Sequence, residues 1–321
     1  MSETILGVAG LSRFFRVGGF RSRGILHATD DVSFKVGAGE IVALVGESGS
    51  GKSTIARVLA GLYPPTAGSI TFEGQSVGRH SSRRVRGRMP MVFQDPFGSI
   101  NPVLRVGHSL ERSLKLHRSE LNAAARHEEA IALVERVGLT PGAEVLRRFP
   151  HELSGGQRQR LGFAQALASR PSLILADEPV SMLDVSIRIG LLNVMKDLRD
   201  REGVSLLYIT HDLASARYVA DRMIVLYAGR IVEEGLTEEV ISSPQHPYTR
   251  LLMSTAPDPR LPLSDDASLT DLGEPPKVIN PGPGCRFAPR CPLAMDQCRA
   301  STPTAVALSP TQRVACYAVT P

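Results

Sequence analysis

The first 284 residues contain no cysteine; all four cysteines of this 321-residue chain, Cys285, Cys291, Cys298 and Cys316, lie beyond them. Disulfides spread through the fold are thereby excluded, and a late cluster of thiols points to metal or redox chemistry. No apolar run approaches ~18 residues, so no segment is read as a membrane-spanning helix. The N-terminal MSETILGVAG has no basic stretch followed by an apolar one, so no signal peptide is read there. The expectation is a protein kept in the cytoplasm or held on a membrane by partners. Internal repeats, long low-complexity stretches and extended heptads are also missing, which excludes solenoids and coiled-coil arms.

Hydrophobic residues make up 42% and charged residues 21%, values ordinary for a globular protein. The length suits one large domain with an appendage. Net charge is +5, which fits a nucleic-acid binder or a protein lying under an anionic leaflet. The densest basic run, GRHSSRRVRGR, ends at Arg88 and has no interleaved aromatics, so it is read as a solvated loop. No nucleic-acid partner is expected.

Residues 4–36 alternate apolar and polar in short pieces and read as antiparallel strands with a loop at Gly18 to Gly24. EIVALVG (40–46), SLILAD (172–177), VSLLYIT (204–210) and MIVLYAG (223–229) are continuous apolar runs, as buried parallel strands require. Ile187, Leu191, Met195 and Leu198 follow a helical spacing, with Gly203 as the stop. Strand, helix and strand in alternation imply a mostly parallel α/β sheet. Residues 95–170 read as a helical insertion, with helices at SLERSLKL and LNAAARHEEAIALVERVGL. Beyond Thr255 a Pro-, Ser- and Asp-rich linker leads to the cysteine tail. The division expected is 1–255 for the main domain and 256–321 for linker and tail.

Gly46, Glu47, Ser48, Gly49, Ser50, Gly51, Lys52, Ser53 and Thr54 fit G-x-x-x-x-G-K-[ST] between a buried strand and a helix. Glycines let backbone N–H groups wrap a phosphate, and the helix N-terminus favours its charge. Lys52 is expected to reach the β- and γ-phosphates of a nucleotide, and Ser53 to hold Mg²⁺. Asp177 ends an apolar strand, where ligands bind in α/β folds, and would support the Mg²⁺ shell. Glu178 follows it and would orient or deprotonate the attacking water. His211, at the end of another strand, is the candidate γ-phosphate sensor. Gln94 follows a short apolar strand and is a candidate Mg²⁺ or water contact. A second anion site is written in LSGGQ: Leu153, Ser154, Gly155, Gly156 and Gln157.

These motifs, in this order and spread over about 170 residues, resemble the nucleotide-binding subunit of an ATP-binding cassette (ABC) transporter. The resemblance implies a RecA-like P-loop NTPase core with an N-terminal antiparallel β subdomain, a helical insertion and a small C-terminal Cys-rich tail. It implies ATP hydrolysis with Mg²⁺. It also explains two anion sites in one chain: LSGGQ covers the ATP held by the partner subunit, with Ser154 and Gly156 reaching its γ-phosphate. Asp184, in SMLD, would lie in the loop linking the two sites. Phe15 would stack on adenine, with Phe14 and Phe20 competing and a core role equally open. QDPFGSINP (94–102), HELSGGQRQR (151–160), DEPVSMLDVS (177–186), SPQHPYTRLL (243–252) and the tail GCRFAPRCPLAMDQC (284–298) resemble the dipeptide/oligopeptide importer branch. Met182 and Gln165 depart from the usual Ala and Arg without removing a phosphate- or metal-contacting group.

The partners implied are a second ATPase subunit, more readily a related chain than a copy, two integral permease subunits and an extracytoplasmic substrate-binding protein. The place implied is the cytoplasmic face of the inner membrane. The Gln94 region and the helical insertion would form the groove for a permease. Nickel or another small solute is the alternative cargo. A soluble ABC ATPase of repair or translation and a non-hydrolysing regulator are the alternative functions. The spacing C-x5-C-x6-C-x17-C lacks the tight pairs of zinc ribbons. By resemblance the four cysteines would hold a structural 4Fe–4S cluster; zinc and bare thiols stay open. Pro281, Pro283, Pro289 and Pro292 stiffen loops too short to bury much apolar area, so a metal would be a natural staple.

Overall fold

The computed structural model describes residues 3–18, 24–78, 83–95, 100–255 and 276–319. Phe20, part of the QDPFGSINP segment and the linker lie outside the described residues. In chain order, β1 (Thr4–Val17), β2 (Gly24–Gly37) and β3 (Ile41–Val45) lead to α1 (Lys52–Leu59). They are followed by β4 (Ala67–Phe72), β5 (Gln75–Ser76), α2 (Arg83–Gly87) and β6 (Met91–Val92). A helical stretch comes next: α3 (Val106–His117), α4 (Ala123–Arg136), α5 (Gly142–Arg147) and α6 (Gly155–Leu167). Then come β7 (Leu173–Asp177), α7 (Val185–Glu202), β8 (Ser205–Thr210), α8 (Leu213–Val219), β9 (Arg222–Tyr227) and β10 (Arg230–Leu236). The chain closes with α9 (Thr237–Ser242), α10 (Pro247–Thr255), α11 (Asp296–Ala300), β11 (Val306–Ala307) and β12 (Arg313–Val314). None of the described helices is long and apolar enough to cross a membrane.

Two compact units emerge. One comprises the described residues within Met1–Ile5, Val36–Ile41 and Phe72–Tyr208. Its strands run in the order β8, β7, β6, and β6 pairs with β7 in parallel, Met91 opposite Leu175. Leu173, Ile174, Leu175 and Ala176 are fully buried, as are Leu206, Leu207 and Tyr208, which is why these strands read as unbroken apolar runs. α7 buries Leu191, Met195 and Leu198 and ends at Gly203, whose φ of 67° is the left-handed C-cap that glycine adopts without a Cβ penalty. α4 starts at Asn122, whose side chain accepts from Ala125 N at 2.9 Å. Arg118, 4% exposed, closes the far end of α6: its Nε donates to Ala168 O and its Nη2 to Leu167 O, while Glu129 neutralises it at 2.6 Å.

The other unit comprises the described residues within Leu6–Lys35, Val42–Thr71 and Ile209–Pro321. Here the strand order is β11, β12, β10, β9, β3. β3 and β9 pair in parallel, Leu44 opposite Ile224, and β9 with β10 is antiparallel. The tail adds β12 against β10, Glu233 opposite Val314, so the C-terminal segment is stitched into the sheet. A separate antiparallel sheet has the order β2, β1, β4 in this unit. Gly68 is required there, because a Cβ on it would lie 2.4 Å from Gly10 O. Tyr227, Tyr248 and Phe287, all under 2% exposed, form an aromatic core.

Candidate functional site

The P-loop connects β3 to α1. Two of its glycines are required by close backbone contacts. Gly46 has φ 153°, and a Cβ there would stand 2.2 Å from Leu226 O; Gly51 has φ 105°, and a Cβ would stand 2.1 Å from Ala28 O. Gly51 is the N-cap of α1, so the loop ends at a helix N-terminus, where backbone N–H groups and the helix dipole favour an anion. Lys52 is 4% exposed. Its ammonium donates to Gly46 O at 2.6 Å, to Glu47 O at 2.8 Å and to Ser50 Oγ at 3.4 Å. These bonds hold a cation at the centre of the loop. His211, in the same unit, sits exposed just after β8. The next residue, Asp212, caps α8 by accepting from Ala214 N and Ser215 N.

Phe15 is half-buried, edge-on to Tyr63 at 5.5 Å, with the Arg13 guanidinium 4.4 Å above its ring. Phe14 instead stacks against His27 at 4.0 Å.

In the unit that holds β7, Asp177 is the buried last residue of that strand and Glu178 turns away from it at φ 46°. A non-glycine residue in that region carries strain, which is tolerated where the surroundings fix it. Gln94 helps to do so: its Nε2 donates to Glu178 Oε2 at 3.1 Å and to Ser181 Oγ at 3.2 Å. Gln159 in turn holds the backbone of this segment, donating to Gln94 O at 2.8 Å and to Phe93 O at 3.3 Å. Sequence reasoning missed Gln159, and the only signal was its place two residues beyond LSGGQ.

Ser154 is the N-cap of α6. Its Oγ accepts from Gln157 N, and Gln157 Oε1 accepts from Ser154 N at 3.0 Å, a reciprocal capping box. Ser154 and Gly155 are exposed, whereas Leu153 and Gly156 are buried. A Cβ on Gly156 would stand 2.2 Å from Ile187 Cγ2, so that glycine is demanded by the packing of α6 on α7. Asp184 is the exposed N-cap residue of α7. Met182 is 67% exposed, and Gln165 donates to Ser109 Oγ at 2.6 Å.

The SPQHPYTRLL segment has a role the sequence did not disclose. Glu233, fully buried, accepts from Gln245 N at 3.0 Å and from His246 N at 2.9 Å. His246 Nδ1 accepts from Tyr248 N at 3.0 Å, and burial drives its pKa down to about 3, so it is neutral. Tyr248 Oη then accepts from Glu47 N at 2.9 Å, tying α10 to the P-loop.

The four cysteines are unpaired with one another in disulfides. Burial pushes the thiols of Cys285, Cys291 and Cys316 up, and charge on neighbouring cysteines, Cys298 among them, pushes them further. Among the described residues, however, no three His, Cys, Asp or Glu side chains are gathered as a site for a metal ion. The 4Fe–4S cluster expected from the resemblance thus has no ready-made site among the described residues. The donor set itself, four thiols with no competing hard ligand, is of the soft kind that iron–sulfur clusters use. The Mg²⁺ ligands expected from the sequence, the Ser53 hydroxyl, Gln94 amide and Asp177 carboxylate, all offer oxygen, the donor type that suits a hard cation.

Residues 29–181 match the ABC transporter family, and residues 232–298 match the oligopeptide/dipeptide transporter C-terminal region. Over 327 aligned residues, covering 100% of this chain and 92% of the relative, 43% are identical to a probable peptide ABC transporter ATP-binding protein of Sinorhizobium fredii. A dipeptide transport ATP-binding protein of Haemophilus influenzae is 40% identical over 98% of this chain and 96% of its own. An oligopeptide transport ATP-binding protein of the same organism is 41% identical over 92% of this chain and 89% of its own. Among solved structures, an ATP-binding cassette captured as a post-hydrolysis dimer bound to ADP and Pi superposes with a TM-score of 0.64. It is 27% identical and covers 72% of this chain and 98% of its own. The chain belongs to the ATP-binding subunits of ABC transporters, with the C-terminal region of the oligopeptide/dipeptide branch. It is accordingly an ATP hydrolase with the P-loop α/β fold, and membership implies ATP with Mg²⁺, pairing of cassettes and membrane permease partners.

Proposed function

We propose that this chain is the ATP-hydrolysing subunit that energises import of di- and oligopeptides. The observation that carries the reading is near end-to-end similarity to dipeptide and oligopeptide transport ATP-binding proteins, tail included. The partners proposed are two integral permeases, a second and related ATPase chain, and an extracytoplasmic substrate-binding protein. The chain would work at the cytoplasmic face of the cell membrane.

In this reading the N–H groups of residues 46–54 cradle the phosphates of ATP. Lys52 exchanges its bonds to the loop carbonyls for phosphate oxygens, keeping its charge neutralised throughout. Ser53 and Gln94, with Asp177, would hold Mg²⁺, which supplies charge stabilisation at the phosphates. Glu178 takes the proton of the attacking water, whose oxygen bonds the γ-phosphorus as the bond to the bridging oxygen breaks; ADP carries that electron pair away. His211 senses the γ-phosphate and Phe15 stacks on adenine. Leu153, Ser154, Gly155, Gly156 and Gln157 cover the ATP of the partner subunit, and Asp184 links the two sites.

The four cysteines are proposed to hold a 4Fe–4S cluster with a structural role. The purely thiol donor set supports it.

The test is reconstitution with both permeases, the second ATPase and the binding protein in sealed vesicles. ATP-dependent accumulation of labelled peptide is expected. Accumulation of nickel instead would redirect the cargo, and brisk turnover with no dependence on permeases would favour a soluble ATPase.

A further inference from the structure

Glu47 is held at three points by three separate parts of its unit. Its backbone N–H donates to Tyr248 Oη at 2.9 Å. Its backbone carbonyl accepts from Lys52 Nζ at 2.8 Å. Its carboxylate accepts from Arg290 Nη1 at 3.0 Å and from Arg290 Nη2 at 3.3 Å, one oxygen each. Two parallel N–H···O bonds fix direction as well as charge. The Arg290 and Glu47 side chains are only 12% and 24% exposed, so solvent screens this pair less than a surface one.

Arg290 is itself well placed. It belongs to the interval between Cys285 and Cys291, and its guanidinium lies 5.8 Å from the Tyr227 ring centroid. Phe287, in the same interval, packs on Tyr227, Tyr248 and His246 at centroid distances of 5.1, 5.5 and 5.7 Å. Arg286 is anchored to Asp30 and to Ala228 O. The interval is therefore clamped just ahead of Arg290, at Arg286 and Phe287, and an arginine on a clamped segment can hold a loop.

We propose that Arg290 is a positioning residue for the ATP site, fixing the P-loop through Glu47 so that ATP affinity depends on the folded cysteine-bearing tail. This rests on reading residues 46–54 as the ATP-binding loop. Without Arg290, Glu47 keeps its backbone bonds but loses its side-chain anchor. The loop then samples other shapes, and ATP binding must select the competent one.

The test is equilibrium binding of ATP with Mg²⁺ to the full-length chain, with melting temperature recorded for each variant. Arg290→Ala is expected to raise Kd about fivefold, and Arg290→Lys about twofold, as a point charge replaces a fork. Glu47→Gln, nearly isosteric, should match Arg290→Ala, and the double variant should be no worse than either single one. In the assembled transporter Arg290→Ala should raise KM for ATP and leave kcat within about twofold. An unchanged Kd in Arg290→Ala or in Glu47→Gln overturns the proposal, and so do additive losses in the double variant. If Arg290→Ala does not fold, the Arg290→Lys and Glu47→Gln arms decide in the same way. Lys52→Ala separates the two layers: loss of ATP binding there with a normal Arg290→Ala refutes the anchor alone. Full binding by Lys52→Ala refutes the loop reading beneath it.

Discussion

Gln94 donates from Nε2 to the Glu178 carboxylate at 3.1 Å, and Glu178 sits at a positive φ of 46°. A residue strained in the backbone and steered by a neighbouring amide has its carboxylate aimed before substrate arrives. Glu178→Gln keeps the shape and removes the proposed base. Its ATP turnover should fall by about 10²–10⁴, with ATP-stabilised dimers accumulating on a sizing column. Gln94→Ala leaves the Glu178 carboxylate but not its hydrogen-bonded orientation, and should lose less turnover than Glu178→Gln. Unchanged turnover in Glu178→Gln would remove this residue from the mechanism.

Gly156 is expected to be intolerant of even one methyl group, because Ile187 Cγ2 would stand 2.2 Å from the new Cβ. Ile187 is β-branched and held in a helix, so it has little rotamer freedom with which to yield. Gly156→Ala should destabilise the chain by about 1–3 kcal/mol through overpacking. Ile187→Ala removes the obstacle at its own modest cost. The double variant should therefore be more stable than the sum of the two single effects, measured by denaturant unfolding. Additivity would show that the glycine is there for another reason.

The parts of the site that are contiguous in sequence were legible, and the parts that converge from afar were not. EIVALVG and SLILAD announced buried strands because every side chain in Ile41–Val45 and Leu173–Asp177 faces a packed layer. G-x-x-x-x-G-K-[ST] carried its own structural context. α7 begins at Val185, two residues before the apolar periodicity starts, because Val185 is exposed and adds nothing to the buried stripe. Tyr248 and Arg290 reach Glu47 from 201 and 243 residues away, a distance no local pattern spans. Gly156 matched its motif, but its packing against Ile187 depends on how α6 meets α7, which motif spacing does not encode. β11 and β12 are two residues each, too short for alternation to reveal.

For the cysteine tail, an anaerobic preparation should absorb near ~400 nm as thiolate-bound iron does. Burial holds Cys285, Cys291 and Cys316 in the protonated form at neutral pH, so loading iron must release protons. Cys298→Ser should bleach the band and lower the melting temperature together. A colourless protein with one bound zinc would rule the cluster out.

His246 makes the stability of its unit sensitive to mild acid. Its folded pKa is about 3, against an ordinary value of 6.5 in the unfolded chain, because burial disfavours the imidazolium. Between those values the unfolded state binds a proton that the folded state does not. Stability is therefore full above about pH 6.5 and declines as pH falls, at up to ~1.4 kcal/mol per pH unit from this group alone. His246→Asn retains a side-chain acceptor for Tyr248 N but has nothing to protonate. Its melting temperature at pH 7.5 should be somewhat below that of the natural chain, and the gap should narrow or reverse at pH 5.5. Above pH 5 most carboxylates remain ionised, so the difference between the two chains isolates the imidazole. Parallel curves from pH 7.5 to 5.5 would mean that His246 takes up its proton within the fold, and the neutral acceptor role assigned to Nδ1 would then be wrong.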